Sequence, residues 1–257
     1  MINKEKRHGD VPDNAGGNTG KHRKRKERMA MNLWNGKKKA LTFSYDDGVG
    51  QDKRLVELFN RYGMKGTFNI NTGIQSASSK WERGTAEIRR MNVRDIKEIY
   101  KGHEVAAHSL THPHLEDLDE ETIENELEQD MLNIERIFGL KPVGMAYPFG
   151  TYDEKTLKVL KKLGIRYART VKSTENFEMQ AELLEFSPTC HHKNKSLLEL
   201  GRAFLELKPE TPKLFYVWGH SYEFDVDGNW DMIEEFCALM AGKEDLYYGT
   251  NADVFGL

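Results

Sequence analysis

The chain has 257 residues, 38% of them apolar and 31% charged, with a formal net charge of −3. That apolar share supplies a core for one large α/β domain and excludes wholesale disorder. Two cysteines, Cys190 and Cys237, exclude a disulfide scaffold and a cysteine-based zinc module, and the acidic balance argues against nucleic acid as a partner of the whole chain.

The charge is uneven. Residues 1–28 hold nine Lys/Arg against four Asp/Glu, which leaves the remainder at −8. The basic run from Lys21 to Arg28 and the Gly/Asn-rich stretch Asn14 to Gly20 offer almost nothing to bury. Residues 1–35 are therefore expected to be a disordered basic arm ahead of a single domain at 36–257. A solubilising tail is the plain reading of that arm; a tether to an anionic surface or to nucleic acid is the alternative. No apolar run approaches the ~18 residues of a membrane-spanning helix, and the N-terminus lacks the apolar centre of a secretory signal. The expected location is cytoplasmic, with no membrane partner.

From Ala40 short apolar runs alternate with amphipathic segments. Leu41–Tyr45 reads as a strand, and Gln51–Tyr62 as a helix stopped by Gly63. Thr67–Asn71 is the second strand. Beyond a polar stretch near Ser76–Arg83, Val93–Tyr100 has helical spacing. Glu104–Ala107 is a strand, and Glu120–Phe138 a long helix between Asp119 as N-cap and Gly139 as stop. Gly144–Tyr147 and Ile165–Ala168 are strands around the helix Glu154–Leu163. Residues 171–194 lack a period and read as a loop. Ser196–Leu207, Leu214–Trp218, Trp230–Met240 and Leu246–Tyr248 complete the chain as helix, strand, helix and strand. Seven strands alternating with six helices predict a parallel α/β sheet, closed or open.

In such folds functional groups gather at the C-terminal strand ends. Those ends hold Asp46, Asp47 and Gly48, then Asn69–Asn71, His108 and His112, Tyr147–Gly150, Arg169, Gly219 and His220, and Thr250–Asn251. His108 and His112 have the i, i+4 spacing that lets both rings face one point. Two imidazoles and a carboxylate form a set that zinc accepts, with a position left open. Of the adjacent pair Asp46 and Asp47, one is then free to act as a base while the other ligates. His103 and His114 read as bland, and His191 and His192 as solvated loop residues. Trp81, Trp218, Tyr222 and Trp230 offer flat faces for a ligand or for packing. Trp218 and Tyr222, flanking His220, are the better candidates.

The ordered segments Thr42-Phe-Ser-Tyr-Asp-Asp-Gly48, His108-Ser-Leu-Thr-His112, Tyr147-Pro-Phe-Gly150 and Trp218-Gly-His220 resemble the motifs of the polysaccharide deacetylases, carbohydrate esterase family 4 with its NodB-homology domain. The resemblance covers about residues 40–250. It implies a distorted (β/α)7 barrel and a hydrolase of carbon–nitrogen bonds other than peptide bonds, which removes N-acetyl groups from a sugar or polysaccharide. It further implies Asp47, His108 and His112 as ligands of a divalent metal, zinc or else cobalt or another ion. It makes Asp46 the base for metal-bound water, His220 the acid, and the backbone N–H of Phe149 the oxyanion donor. Tyr147, Trp218, Tyr222 and Arg169 are then candidates for holding the substrate.

Two departures stand out. The Arg that family members carry in the third motif is Ala146 here, and Arg169 is a candidate substitute. The family's acidic partner for the catalytic His has no obvious counterpart; Glu223 and Asp225 lie nearest in sequence. The competing readings are an allantoinase-like hydrolase of a cyclic amide and a barrel that binds carbohydrate without turnover. Substrate size and oligomeric state stay open.

Overall fold

The first strand is longer than its apolar run suggested. In the computed structural model, which describes residues 33–257, β1 spans Lys39–Asp46 and is buried along its whole length. Burial on both faces is what an all-parallel sheet demands of a central strand. β1 pairs in parallel with β2 (Gly66–Ile70) on one side and β9 (Lys213–Gly219) on the other. Its first residues also meet β10 (Leu246–Tyr248). The other strands of the sheet are β5 (Glu104–Ala107), β6 (Gly144–Ala146), β7 (Tyr167–Arg169) and β8 (Cys190–His191). The path runs β7-β6-β5-β2-β1-β9-β8, with every pairing parallel.

The sheet curls into a distorted half-barrel whose two edges are β7 and β8. The segment between them touches both. Phe186 N–H donates to Ala168 O at 3.0 Å, and at the segment's far end His192 N–H donates to Trp218 O at 2.8 Å. Two residues of β8 carry too little pattern to show in a sequence, so the expected loop 171–194 conceals an eighth strand of the sheet.

Helices α1 (Asp52–Tyr62), α2 (Val93–Ile99), α3 (Glu120–Phe138), α4 (Glu154–Leu163), α5 (Leu197–Glu206) and α7 (Trp230–Met240) follow the expected positions. Asp119 accepts from Thr122 N–H at 2.7 Å, and Gly139 closes α3 in the left-handed region at φ 81°. The core is aromatic where α1 and α7 meet the sheet: Phe43 lies 4.5 Å from Phe59 and 6.1 Å, edge-on, from Phe236.

Other elements also escaped the periodicity. An antiparallel hairpin, β3 (Lys80–Arg83) and β4 (Ala86–Arg89), occupies the polar stretch, with Arg83 paired to Ala86. Short helices α6 (Glu223–Asp227) and α8 (Asn251–Phe255) follow β9 and β10. Leu33–Gly36 form a 3-10 turn in which Trp34 is buried and its Nε1–H donates to Val254 O at 3.0 Å. The packed body therefore includes Leu33–Asn35 of the expected arm; residues 1–32 lie outside the described part.

The first turn of α1 buries a carboxyl. Asp52 accepts from Tyr100 O–H at 2.6 Å and from Ser221 O–H. Burial lifts its pKa to about 7, against the hydrogen bonds from Ser221 and Tyr100. A pKa raised in the folded state contributes stability at low pH that is lost as pH climbs through the folded value. Between about pH 4 and 7 the unfolded chain releases this proton first, so stability falls with rising pH, by up to ~1.4 kcal/mol per unit. Asp52→Asn removes that dependence. Urea midpoints at pH 5 and pH 8 should converge in the variant relative to the wild type; an equal drop in both would remove Asp52 as the cause.

Candidate active site

β1 ends on Asp46, with Asp47 in the turn beyond it. Asp47 has φ 82°, and Ser109, His112 and Phe149 have φ 64°, 63° and 58°. Residues with a side chain pay a steric cost in this region. Four of the seven that adopt it among the described residues are in the expected motifs. The bends fall where Asp47, His112 and Phe149 line one cavity.

The His108–His112 segment is a loop, not a helical turn, and α3 holds it. Asp130 accepts from His108 N–H at 3.0 Å and from Thr72 N–H at 2.9 Å. Glu126 accepts from Thr111 N–H at 2.9 Å and from its hydroxyl at 2.7 Å. One ligand-capable atom from each of Asp47, His108 and His112 lies within 4.8 Å of the others. His108 Nδ1 is 2.8 Å from Ala146 O, which can only accept, so the proton sits on Nδ1 and the Nε2 lone pair is free. Burial lowers the pKa of His108 to about 4, against the pull of Asp46. Burial likewise lowers that of His112, so both rings are neutral at neutral pH. This donor set fits a divalent metal.

A second cluster, His191, His220 and Glu223, is as tightly spaced. Its protons disagree with a metal. Lys193 N–H donates to His191 Nδ1 at 3.1 Å, which places the proton of the neutral ring on Nε2. That Nε2–H faces Glu223 Oε2 at 3.1 Å. The cluster is a hydrogen-bonded ring of imidazoles around a carboxylate.

Asp46 is buried. Its Oδ1 accepts from Asn69 Nδ2 at 2.8 Å, and its Oδ2 pairs with Arg169 Nη2. Burial pushes the carboxyl up, but Arg169, His108 and His220 outweigh it and hold Asp46 below its ordinary range. Arg169 is itself fully buried, with its guanidinium 4.5 Å from the centre of the Trp218 ring. The contact missing at Ala146 is thus made from β7. Asp47 pairs with Arg90 Nη2 at 3.1 Å. Burial raises its carboxyl, and His220 and Arg90 more than reverse that.

His220 presents Nε2 to Asp46 and Asp47 at 3.9 and 4.0 Å, while Nδ1 lies 3.3 Å from Glu223 Oε2. Burial lowers its pKa, but Glu223, Asp47 and Asp46 together lift it above the ordinary value. Glu223, not Asp225, is the carboxylate beside this ring. Asp225 accepts from Trp230 Nε1–H at 2.7 Å instead, which places Trp230 away from the site. Burial raises Glu223, and hydrogen bonds from His191 and His220 overcome it, so the carboxyl stays ionised.

A cavity of about 420 Å³ joins Asp46, Asp47, His108, His112 and His220 to Phe149, Trp218 and Tyr222. Tyr147 also borders it, but its hydroxyl donates to Leu184 O at 2.7 Å. The reading of His191 and His192 as solvated is corrected: His192 is fully buried and stacks 5.6 Å from Tyr45, and His191 joins Glu223. His114 is also engaged, its ring 3.8 Å from that of Phe149. Arg90 was missed, and Glu223 was left undecided against Asp225. The charged Arg90 beside buried Ile88 and Met91 was the available signal for the first; the i, i+3 spacing of His220 and Glu223 was the signal for the second.

The family profile described as polysaccharide deacetylase matches residues 34–168. The chain belongs to the polysaccharide deacetylase family. The match stops just before Arg169 and well before His220. No curated protein matches this deacetylase-family chain at significant similarity. Among solved structures it is similar to a Mycobacterium smegmatis protein described as a polysaccharide deacetylase, with 19% identity, a TM-score of 0.62, and coverage of 86% of this chain and 90% of that one. It is also similar to a family 4 carbohydrate esterase from Streptomyces lividans in complex with acetate, with 19% identity, a TM-score of 0.53, and coverage of 83% and 92%. A Bacillus anthracis family 4 pseudoenzyme aligns at 17% identity and a TM-score of 0.53, over 85% of this chain and 65% of that one. The chain spans 55% of the length of a Streptococcus pyogenes deacetylase. These likenesses establish the shared fold. Among the described residues no helix is long and apolar enough to cross a membrane.

Proposed function

We propose that this deacetylase-family chain hydrolyses the N-acetyl group of a sugar with the help of a divalent metal, zinc first among the candidates. The observation that carries the reading is the placing of Asp46 and His220 against the Asp47–His108–His112 set, with His220 Nε2 3.9 Å from Asp46 and 4.0 Å from Asp47. Neither Asp46 nor His220 is needed merely to hold an ion. Since a relative is described as a pseudoenzyme, it is this pair rather than family membership that argues for turnover.

Asp47, His108 and His112 would hold the metal, which when bound supplies Lewis acidity, polarising the acyl carbonyl and lowering the pKa of water. Asp46, kept ionised by Arg169, takes the proton of the water that adds to the carbonyl carbon. The backbone N–H of Phe149 donates to the oxyanion as it forms. An amide nitrogen cannot depart as an anion. His220, charged more readily because Glu223 and the two aspartates face it, donates its Nε2 proton to that nitrogen as the C–N bond breaks. Acetate and a free amine leave. Glu223 accepts the Nδ1–H and fixes which nitrogen faces the substrate. Trp218 and Tyr222 line the cavity for the sugar.

The test is acetate release by the zinc-loaded chain from N-acetylglucosamine, its oligomers and an acetylated peptidoglycan fragment, with and without chelator. Release that stops with chelator and returns with zinc is expected. Zinc bound at one ion per chain without release from any of them would replace the reading with a binding barrel.

A further inference from the structure

We propose that the sugar this site accepts carries an acidic group, and that Arg83 binds it. The inference deepens the deacetylase reading, which supplies the identity of the reacting bond.

The first observation is a balance of charge. Each carboxylate at the cavity or just behind it already has a cationic partner. Asp46 pairs with Arg169 and Asp47 with Arg90. Glu223 lies beside His220 and, at 3.9 Å, Lys193, which sits closer to Asp227 at 2.8 Å. With these negative charges offset inside the protein, a dication on Asp47, His108 and His112 would leave the cavity strongly positive. A concave site of one sign focuses its field on an entering ligand.

The second observation is Arg83. It borders the same cavity, from the end of β3 beside the hairpin turn. Its Nη1–H donates to the Tyr222 hydroxyl oxygen at 3.2 Å, and it joins no ion pair among the described residues. Arg83 stands exposed at the rim, and the ring it contacts is held in place. Tyr222 is buried, meets Trp81 edge-on at 5.8 Å, and lies 5.2 Å from the ring of His220. Arg90, the partner of Asp47, also lies over the Trp81 ring at 5.4 Å. The hairpin thus carries its guanidinium to within one aromatic ring of the proton donor. A guanidinium uses one donor on Tyr222 and keeps a fork for a carboxylate or a phosphate. The cavity, at about 420 Å³, is in the range of small-ligand sites.

The experiment compares kcat/KM for acetate release from N-acetylmuramic acid, N-acetylglucosamine 6-phosphate and N-acetylglucosamine by the zinc-loaded chain, its Arg83→Gln variant and its Arg83→Lys variant. The wild type is expected to favour at least one acidic sugar by about tenfold, mainly through KM, as one charge-assisted contact supplies. Arg83→Gln should bring the acidic-to-neutral ratio near one, and Arg83→Lys should retain part of it. Whether carboxylate or phosphate wins names the group. A neutral sugar preferred by the wild type, or a ratio unmoved by Arg83→Gln, overturns the proposal. If no sugar is hydrolysed, calorimetric binding of the three to the zinc-loaded Asp46→Asn protein separates the two readings. Arg83-dependent binding of an acidic sugar keeps this proposal and removes the deacetylase reading, and no such binding removes both.

Discussion

Asp46→Asn is expected to lower kcat for acetate release by about 10²–10⁴-fold, the range that a positioned general base contributes, while leaving zinc stoichiometry unchanged. The substitution keeps shape and removes basicity. Its structural cost falls on Arg169, whose buried guanidinium loses its counter-charge and keeps only a neutral acceptor. Asn69 Nδ2 now donates to Asp46 Oδ1 at 2.8 Å, and Asn69 Oδ1 has no partner. The substituted amide's oxygen still accepts from Arg169, while a flip of the Asn69 amide to receive the new N–H gives up its donation to Ser44 Oγ at 2.9 Å. Asp47, His108 and His112 are untouched. Equilibrium dialysis with zinc and steady-state acetate release, run on the same preparation, separate the two effects. A kcat within tenfold of wild type would remove Asp46 from the role of base. A loss of zinc together with activity would instead make it a ligand.

The sheet and the motif residues were legible because each leaves a local mark. β1 is a run of apolar and hydroxyl side chains, and α3 shows Ile123, Leu127, Met131 and Ile134 on one buried face. The HxxxH spacing and the Asp-Asp-Gly turn survive as short strings. What stayed hidden was made by contacts distant in sequence. Arg169, 123 positions from Asp46, could be named as a substitute only from its place at a strand end, and nothing near either residue fixes the pairing. β8 is two residues of edge strand, and His192 just beyond it looks solvated until β9 and Phe224 cover it. The carboxylates of α3 were hidden differently. Glu126 and Asp130 sit on the buried face of an otherwise ordinary amphipathic helix, where they hold the His108–His112 loop. A polar residue inside an apolar stripe was the one clue.

Arg169→Met should be the most destabilising single change at the site. The pair with Asp46 is fully inside the protein. Removing one member of a buried ion pair leaves the other charge desolvated and uncompensated, at roughly 3–5 kcal/mol. Methionine replaces the stem volume and keeps contact with Trp218, so the loss reports charge rather than a cavity. The natural complement is the double variant Asp46→Asn with Arg169→Met. Once the carboxylate is gone, Arg169→Met no longer strands a charge, and the pair of substitutions should cost less than the sum of the singles by more than about 1 kcal/mol. Urea unfolding of the four proteins closes the cycle. Additive losses would mean that Arg169 acts on stability through Trp218 and not through Asp46. Arg169→Lys adds a functional check. A single ammonium restores the charge but not the flat stacking on the indole, so stability should recover further than turnover, because the base needs orientation as well as compensation.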